Sequence, residues 1–120
     1  SDYLPYKYDK NCVCYAGTHD NATLKEWKET GDKAEIAFAK EYFGITGRSS
    51  FNFGIIKGGM ASTADLFITQ MQDYLELGKE ARTNVPGVAD GNWKWRMKKG
   101  AATDKLAEKI AHITEMYGRA

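Results

Sequence analysis

Asp65-Leu66-Phe67-Ile68-Thr69-Gln70-Met71 is a short apolar, β-favouring run that gives way to the polar pair Gln72-Asp73. A similar run, Cys12-Val13-Cys14-Tyr15, stands upstream. It ends at Ala16-Gly17 and leads into Thr18-His19-Asp20-Asn21. Each run has the length and residue types of a buried strand. Between them the chain reads as helical. One helical stretch begins at about Thr23 and is interrupted by Thr30-Gly31-Asp32. Asp32 is placed to cap a second helix, in which Ile36, Ala37 and Phe43 recur at helical spacing until Gly44 stops it. Ser49 or Ser50 starts a third, with Phe51, Ile55, Ile56 and Met60 on one side. Gly58-Gly59 weaken that helix by about 1 kcal/mol each relative to Ala. Two strands joined by so long a helical crossover run parallel, which makes the fold class α/β.

Outward from this unit, the upstream residues 1–10 (SDYLPYKYDK) read as an extended, aromatic lead-in. Downstream, residues 78–102 read as a long loop carrying Asn84-Val85-Pro86-Gly87 and Gly91-Asn92-Trp93-Lys94-Trp95-Arg96. Loops of this length are usually functional or disordered, and the tryptophans argue against disorder. The last element is the clearest: Thr103 caps a helix with Leu106, Ile110, Ile113 and Met116/Tyr117 along one stripe.

Composition removes several function classes. The chain has 120 residues, Lys+Arg 17 against Asp+Glu 16, and a net charge of +1, so it lacks the broad basic field of a non-specific nucleic-acid binder. The stretch Trp93-Lys94-Trp95-Arg96-Met97-Lys98-Lys99 mixes aromatic and basic residues, but no other segment adds charge to it. The longest run without Asp, Glu, Lys or Arg is Asn11–His19, far short of the roughly 20 residues that span a membrane. Cys12 and Cys14 are too close for an unstrained disulfide and lack the CxxC spacing, so they read as reduced thiols of a cytoplasmic protein. His19 and His112 have no second His or Cys at ligand spacing, so no metal site is read, and His112 is an ordinary helix residue. Asn21-Ala22-Thr23 matches a glycosylation acceptor by chance, because no secretory leader is read.

The polar residues after the two strands are the candidate site, since ligands of α/β sheets gather at the carboxyl ends of strands. Asp20, flanked by His19 and Asn21, leads. The plainer alternative is that Asp20 or Asn21 caps the following helix. Gln72-Asp73 carries the same alternative, as a cap on Tyr74-Leu75-Glu76-Leu77. Trp93, Trp95 and Arg96 read as packing residues or as a sugar-stacking platform.

Six segments then fall in a telling order: Tyr15-Ala16-Gly17-Thr18-His19-Asp20-Asn21, Ala64-Asp65-Leu66, Gln72-Asp73-Tyr74-Leu75-Glu76-Leu77-Gly78, Glu80-Ala81-Arg82, Asn84-Val85-Pro86-Gly87 and Gly91-Asn92-Trp93-Lys94-Trp95-Arg96. In this order and spacing they resemble the C-terminal end of the 4-alpha-glucanotransferases, also called amylomaltases or disproportionating enzymes. Leu4-Pro5 and the closing Met116-Tyr117-Gly118-Arg119 fit the same pattern.

The resemblance implies a (β/α)₈ TIM barrel in which Cys12–Tyr15 is the seventh strand and Leu66–Met71 the eighth. Residues 1–120 would then be a single C-terminal fragment, the last two β/α units. It further implies transfer of α-1,4-glucan segments with retention, which needs a carboxylate nucleophile and a carboxyl acid/base. By the resemblance, Asp20 is the transition-state stabiliser, and His19 and Asn84 contact the sugar. Gln72 and Asp73 order the loop or the floor of the site. The nucleophile and acid/base belong to strands four and five, which this chain lacks, so the chain alone is expected to be inactive. Ser1 in place of a start Met fits an excised piece. No cofactor is implied. The expected partners are α-1,4-glucans, the remainder of its own barrel, or another copy covering the open strand edges unless Tyr3, Tyr6 and Tyr8 do so. The alternative reading is a non-catalytic carbohydrate-binding or regulatory α/β module.

Overall fold

A computed structural model describes residues 13–16, 21–47 and 50–120. The expected lead-in over residues 1–10, Cys12, and the site residues His19 and Asp20 lie outside the described residues. Strand β1 (Val13–Tyr15) is followed by helices α1 (Leu24–Thr30), α2 (Lys33–Tyr42) and α3 (Phe51–Met60). Then come strand β2 (Leu66–Ile68), a one-turn helix α4 (Met71–Tyr74), a 3₁₀ turn at Lys79–Ala81 and helix α5 (Asp104–Met116). The strands pair in parallel, with Val13 opposite Leu66, Cys14 opposite Phe67 and Tyr15 opposite Ile68. The α/β expectation holds.

Capping decides where the helices begin. Thr23, Asp32, Ser50 and Thr103 each sit at an N-cap in extended conformation, and each side chain accepts from a backbone N–H one or two residues inside its helix. Such caps satisfy donors that the helix itself cannot, each worth about 1 kcal/mol. Ser50 is therefore the cap of α3, and Thr23 that of α1. The capping role considered for Asp20 or Asn21 belongs to Thr23.

Successive strand residues face opposite sides of the sheet. Cys14 is buried and Phe67 half-buried against the helices, where Leu24, Phe53, Ile56, Met60 and Ile113 form the core. Ala16, Phe67, Leu106 and Tyr117 pack onto it. The opposite face presents Val13, Tyr15, Leu66 and Ile68, each 42–51% exposed. The expectation of buried strands is thus met on one face only.

Gly58 and Gly59 look like flaws in α3 until its packing is seen. A Cβ at Gly59 would overlap the Phe67 ring, and one at Gly58 would overlap the Phe43 ring. The lost helix propensity allows a close approach of α3 to β2 and to the end of α2.

Two further sequence expectations need correction. β2 ends at Ile68 and not at Met71, because the ladder runs out at the bond from Ala16 N–H to the Ile68 carbonyl, 3.2 Å. Met71 already belongs to α4, capped from extended Gln70, so Gln72-Asp73 lie within a helical turn and not at a strand tip. Along α5 the expected stripe is also narrower: Ile113 is buried at 2% exposure, whereas Met116 is 58% exposed. The C-terminus closes the opposite end of the sheet. Arg119 donates from Nε to the Met60 carbonyl (2.8 Å) and from one terminal nitrogen to those of Ser62 (3.2 Å) and Ala64 (2.9 Å), fixing the approach to β2.

Candidate active-site segment

The chain after β1 and the chain after β2 are joined by one buried carboxylate. Asp73, 1% exposed, accepts at Oδ1 from the Leu24 N–H of α1 at 2.9 Å. Its Oδ2 lies 3.5 Å from the Thr69 hydroxyl, and its own carbonyl accepts from Asn52 Nδ2 of α3 at 2.9 Å. Burial pushes the Asp73 carboxyl above its usual range, opposed by the bonds from Leu24 and Thr69. A second tie runs from the Ser50 hydroxyl to Glu76 Oε1. The helical turn after β2 is therefore stapled to α1 and to α3.

Gln72 faces the other way. Its Nε2 donates to the Ala81 carbonyl at 3.1 Å and to the Thr83 hydroxyl at 2.9 Å. These bonds hold the start of the long loop, the ordering role expected for this residue. Arg82 sits between the two held residues. Its Nε donates to the Asn84 carbonyl at 3.0 Å, and one terminal nitrogen lies 3.8 Å from Glu26 Oε2 in the first turn of α1.

The loop beyond Asn84 has its own closure. Val85 N–H donates to Asn92 Oδ1 (2.9 Å), while Asn92 Nδ2 donates to the Val85 (3.3 Å) and Val88 (2.7 Å) carbonyls. Trp93 N–H donates to the Thr83 carbonyl at 2.6 Å, and Trp93 takes a left-handed φ of 59°. Trp93 is 63% exposed within this chain, whereas Trp95 is half-buried.

Of the expected site residues, Asn84 is thus brought to the strand-end side of the molecule and is half-buried. His19 and Asp20 precede Asn21 and α1, which is the element anchored by Asp73 and paired with Arg82. Among the described residues no cluster of His, Cys, Asp and Glu is arranged to hold a metal ion, and no helix is long and apolar enough to cross a membrane. A cleft of about 530 Å³ lies elsewhere, lined by Tyr42, Phe43, Lys57, Ser62 and Tyr117, along the segment leading into β2.

Sequence reasoning missed Glu26 and Arg82 as a pair. Thr23 and Glu26 have the spacing of a capping box, which hides the longer-range use of the acid. Glu80-Ala81-Arg82 stood among the recurring segments, with no role attached to it.

Residues 1–103 match the family model described as 4-alpha-glucanotransferase. The chain belongs to the 4-alpha-glucanotransferase family. It is similar to the 4-alpha-glucanotransferase of Clostridium butyricum, with 49% identity over 118 residues, covering 98% of this chain and 24% of that protein. The Thermus thermophilus 4-alpha-glucanotransferase is 37% identical over 124 residues, 98% of this chain and 25% of that one. Among solved structures, the amylomaltase from Streptococcus agalactiae in complex with acarbose superposes with a TM-score of 0.93 at 32% identity. The match covers 98% of this chain and 24% of that one. The chain thus spans about a quarter of the length of the relatives it matches, and its α/β fold fits part of the amylomaltase barrel.

Proposed function

We propose that this chain acts as one quarter of a 4-alpha-glucanotransferase, residues 1–120 forming the seventh and eighth β/α units of its barrel. The observation that carries this reading is the buried bond between Leu24 and Asp73, which draws the segments after both strands to one rim in a chain of this family. Active sites of (β/α)₈ barrels are built from the loops on that rim. The substrates are α-1,4-glucans, and the acarbose bound by the S. agalactiae amylomaltase supports a carbohydrate occupant.

The reaction is transfer with retention. A carboxylate attacks the anomeric carbon while a carboxylic acid protonates the departing glycosidic oxygen; the 4-hydroxyl of a second sugar then displaces the enzyme carboxylate, returning its proton to the acid/base carboxylate. The two carboxyl groups of such a pair stand about 5–5.5 Å apart. Both come from the rest of the polypeptide. Asp20 supplies a third carboxylate, whose hydrogen bonds to the sugar hydroxyls tighten as the ring acquires oxocarbenium charge and so lower the barrier. His19 bonds a hydroxyl of the same sugar, and Asn84 contacts the bound glucan from the loop after β2. These roles require no cofactor.

Incubating the purified 120-residue chain with maltotriose tests this division of labour. No glucose and no longer maltodextrins should form. In the complete polypeptide the same assay should show transfer, and Asp20→Asn should lower kcat far more than it raises KM. Turnover by the chain alone, or an undiminished kcat in Asp20→Asn, would refute the reading.

A further inference from the structure

We propose that Glu26 and Arg82 are positioning residues, which clamp the loop bearing Asn84 to the first turn of the helix that follows His19-Asp20. The inference rests on the reading of Asn84 as a glucan contact. The guanidinium has two working edges here. Its Nε reaches the Asn84 carbonyl at 3.0 Å, and a terminal nitrogen faces Glu26 Oε2 at 3.8 Å. A planar fork can serve two partners in fixed directions, which a lysine ammonium cannot.

Both ends of the clamp are immobilised independently. Glu26 lies in the first turn of α1, whose first N–H is held by Asp73 and whose cap is Thr23. Arg82 lies between Ala81 and Thr83, both held by Gln72. The two side chains are mostly enclosed, 17% and 20% exposed.

Stability accounts only in part for an acid at position 26, which as a first-turn residue of α1 gains from the helix dipole. An enclosed pair at 3.8 Å gains an attraction that its own desolvation largely offsets, and Glu26 Oε1 is buried with no hydrogen-bond partner among the described residues. Desolvating a carboxylate in that way costs free energy that an apolar side chain would not. The acid adds a second tether to Arg82, whose Nε already donates to the Asn84 carbonyl. The Asn84 backbone is thereby tied through Arg82 to the first turn of α1.

The test uses the complete polypeptide with maltotriose. Arg82→Lys keeps the charge and loses the fork; Glu26→Gln keeps the shape and loses the charge. Each should raise KM roughly 3–10-fold with kcat nearly unchanged, the signature of lost ground-state binding. The double variant should be no worse than Arg82→Lys alone, because coupled residues are non-additive. A purely structural pair would lower the melting temperature and leave KM of the folded enzyme unmoved. An unaltered KM in both variants, or additive effects, overturns the proposal. Asn84→Ala is measured alongside. If it raises KM while the clamp variants do not, the clamp alone is wrong. If Asn84→Ala is silent, the reading of Asn84 fails and takes the clamp with it.

Discussion

A carboxyl group buried as deeply as that of Asp73 must find donors within the protein, and the Leu24 N–H at 2.9 Å is one. That bond serves Asp73 and α1 together, since the first N–H of a helix has no partner inside it. Asp73→Ala would leave the donor unsatisfied and should cost about 1–3 kcal/mol in urea unfolding. Asp73→Asn keeps an acceptor oxygen and removes the charge. The pH dependence follows from the raised carboxyl pKa. The folded state holds its proton to higher pH than the unfolded state, whose value is near 3.8. The contribution of Asp73 to stability is therefore largest below that value, falls as pH rises through the raised pKa, and then levels off. Urea midpoints of the chain against those of Asp73→Asn should show this decline in the first and not in the second. Parallel curves for the two proteins would contradict the desolvation account.

Helix α3 shows how local and tertiary signals oppose each other within one element. Gly→Ala in a helix interior ordinarily stabilises by about 1 kcal/mol. At position 59 the added methyl enters the space of the Phe67 ring, and overpacking of this kind costs about 1–3 kcal/mol. Gly59→Ala should thus destabilise on balance, and adding Phe67→Leu should recover part of the loss in denaturant unfolding. A gain in stability from Gly59→Ala alone would show that α3 and β2 can separate freely. The same opposition explains what could be read before the structure. Caps at Asp32, Ser50 and Thr103 and the stripe through Ile113 depend on neighbours within one or two turns, and they were legible. The end of β2, the α4 turn and the burial of Gln72 and Asp73 depend on partners far along the chain, Leu24, Ala81 and Thr83 among them. No local pattern encodes those. The reading of Asn84 rests on its motif alone, whereas the proposed clamp joins residues 26 and 82, and nothing local links them.

For the molecule as a whole, the sheet poses the main physical problem. Two strands of three residues each are marginal in water, and here their outer edges have no further strand among the described residues. The helix-facing side is packed, but Val13, Tyr15, Leu66 and Ile68 form a contiguous apolar surface at 42–51% exposure. In the proposed complete barrel that face points to the centre and meets the other strands, so its apolar character serves a core that this chain only begins. In isolation the same face and edges favour pairing with another copy. Sedimentation velocity over a hundredfold concentration range should show reversible association of the 120-residue chain. Leu66→Lys combined with Ile68→Lys should shift it toward monomer, because a lysine pair on the face penalises burial. Val88→Lys, in the loop closed by Asn92, is the control and should leave the association constant unchanged. A monomer at every concentration would mean that the open face is covered within the chain itself. Amide-exchange protection over residues 1–10 would then identify the tyrosine-rich lead-in as the cover, and its absence there would remove both ways of closing the sheet.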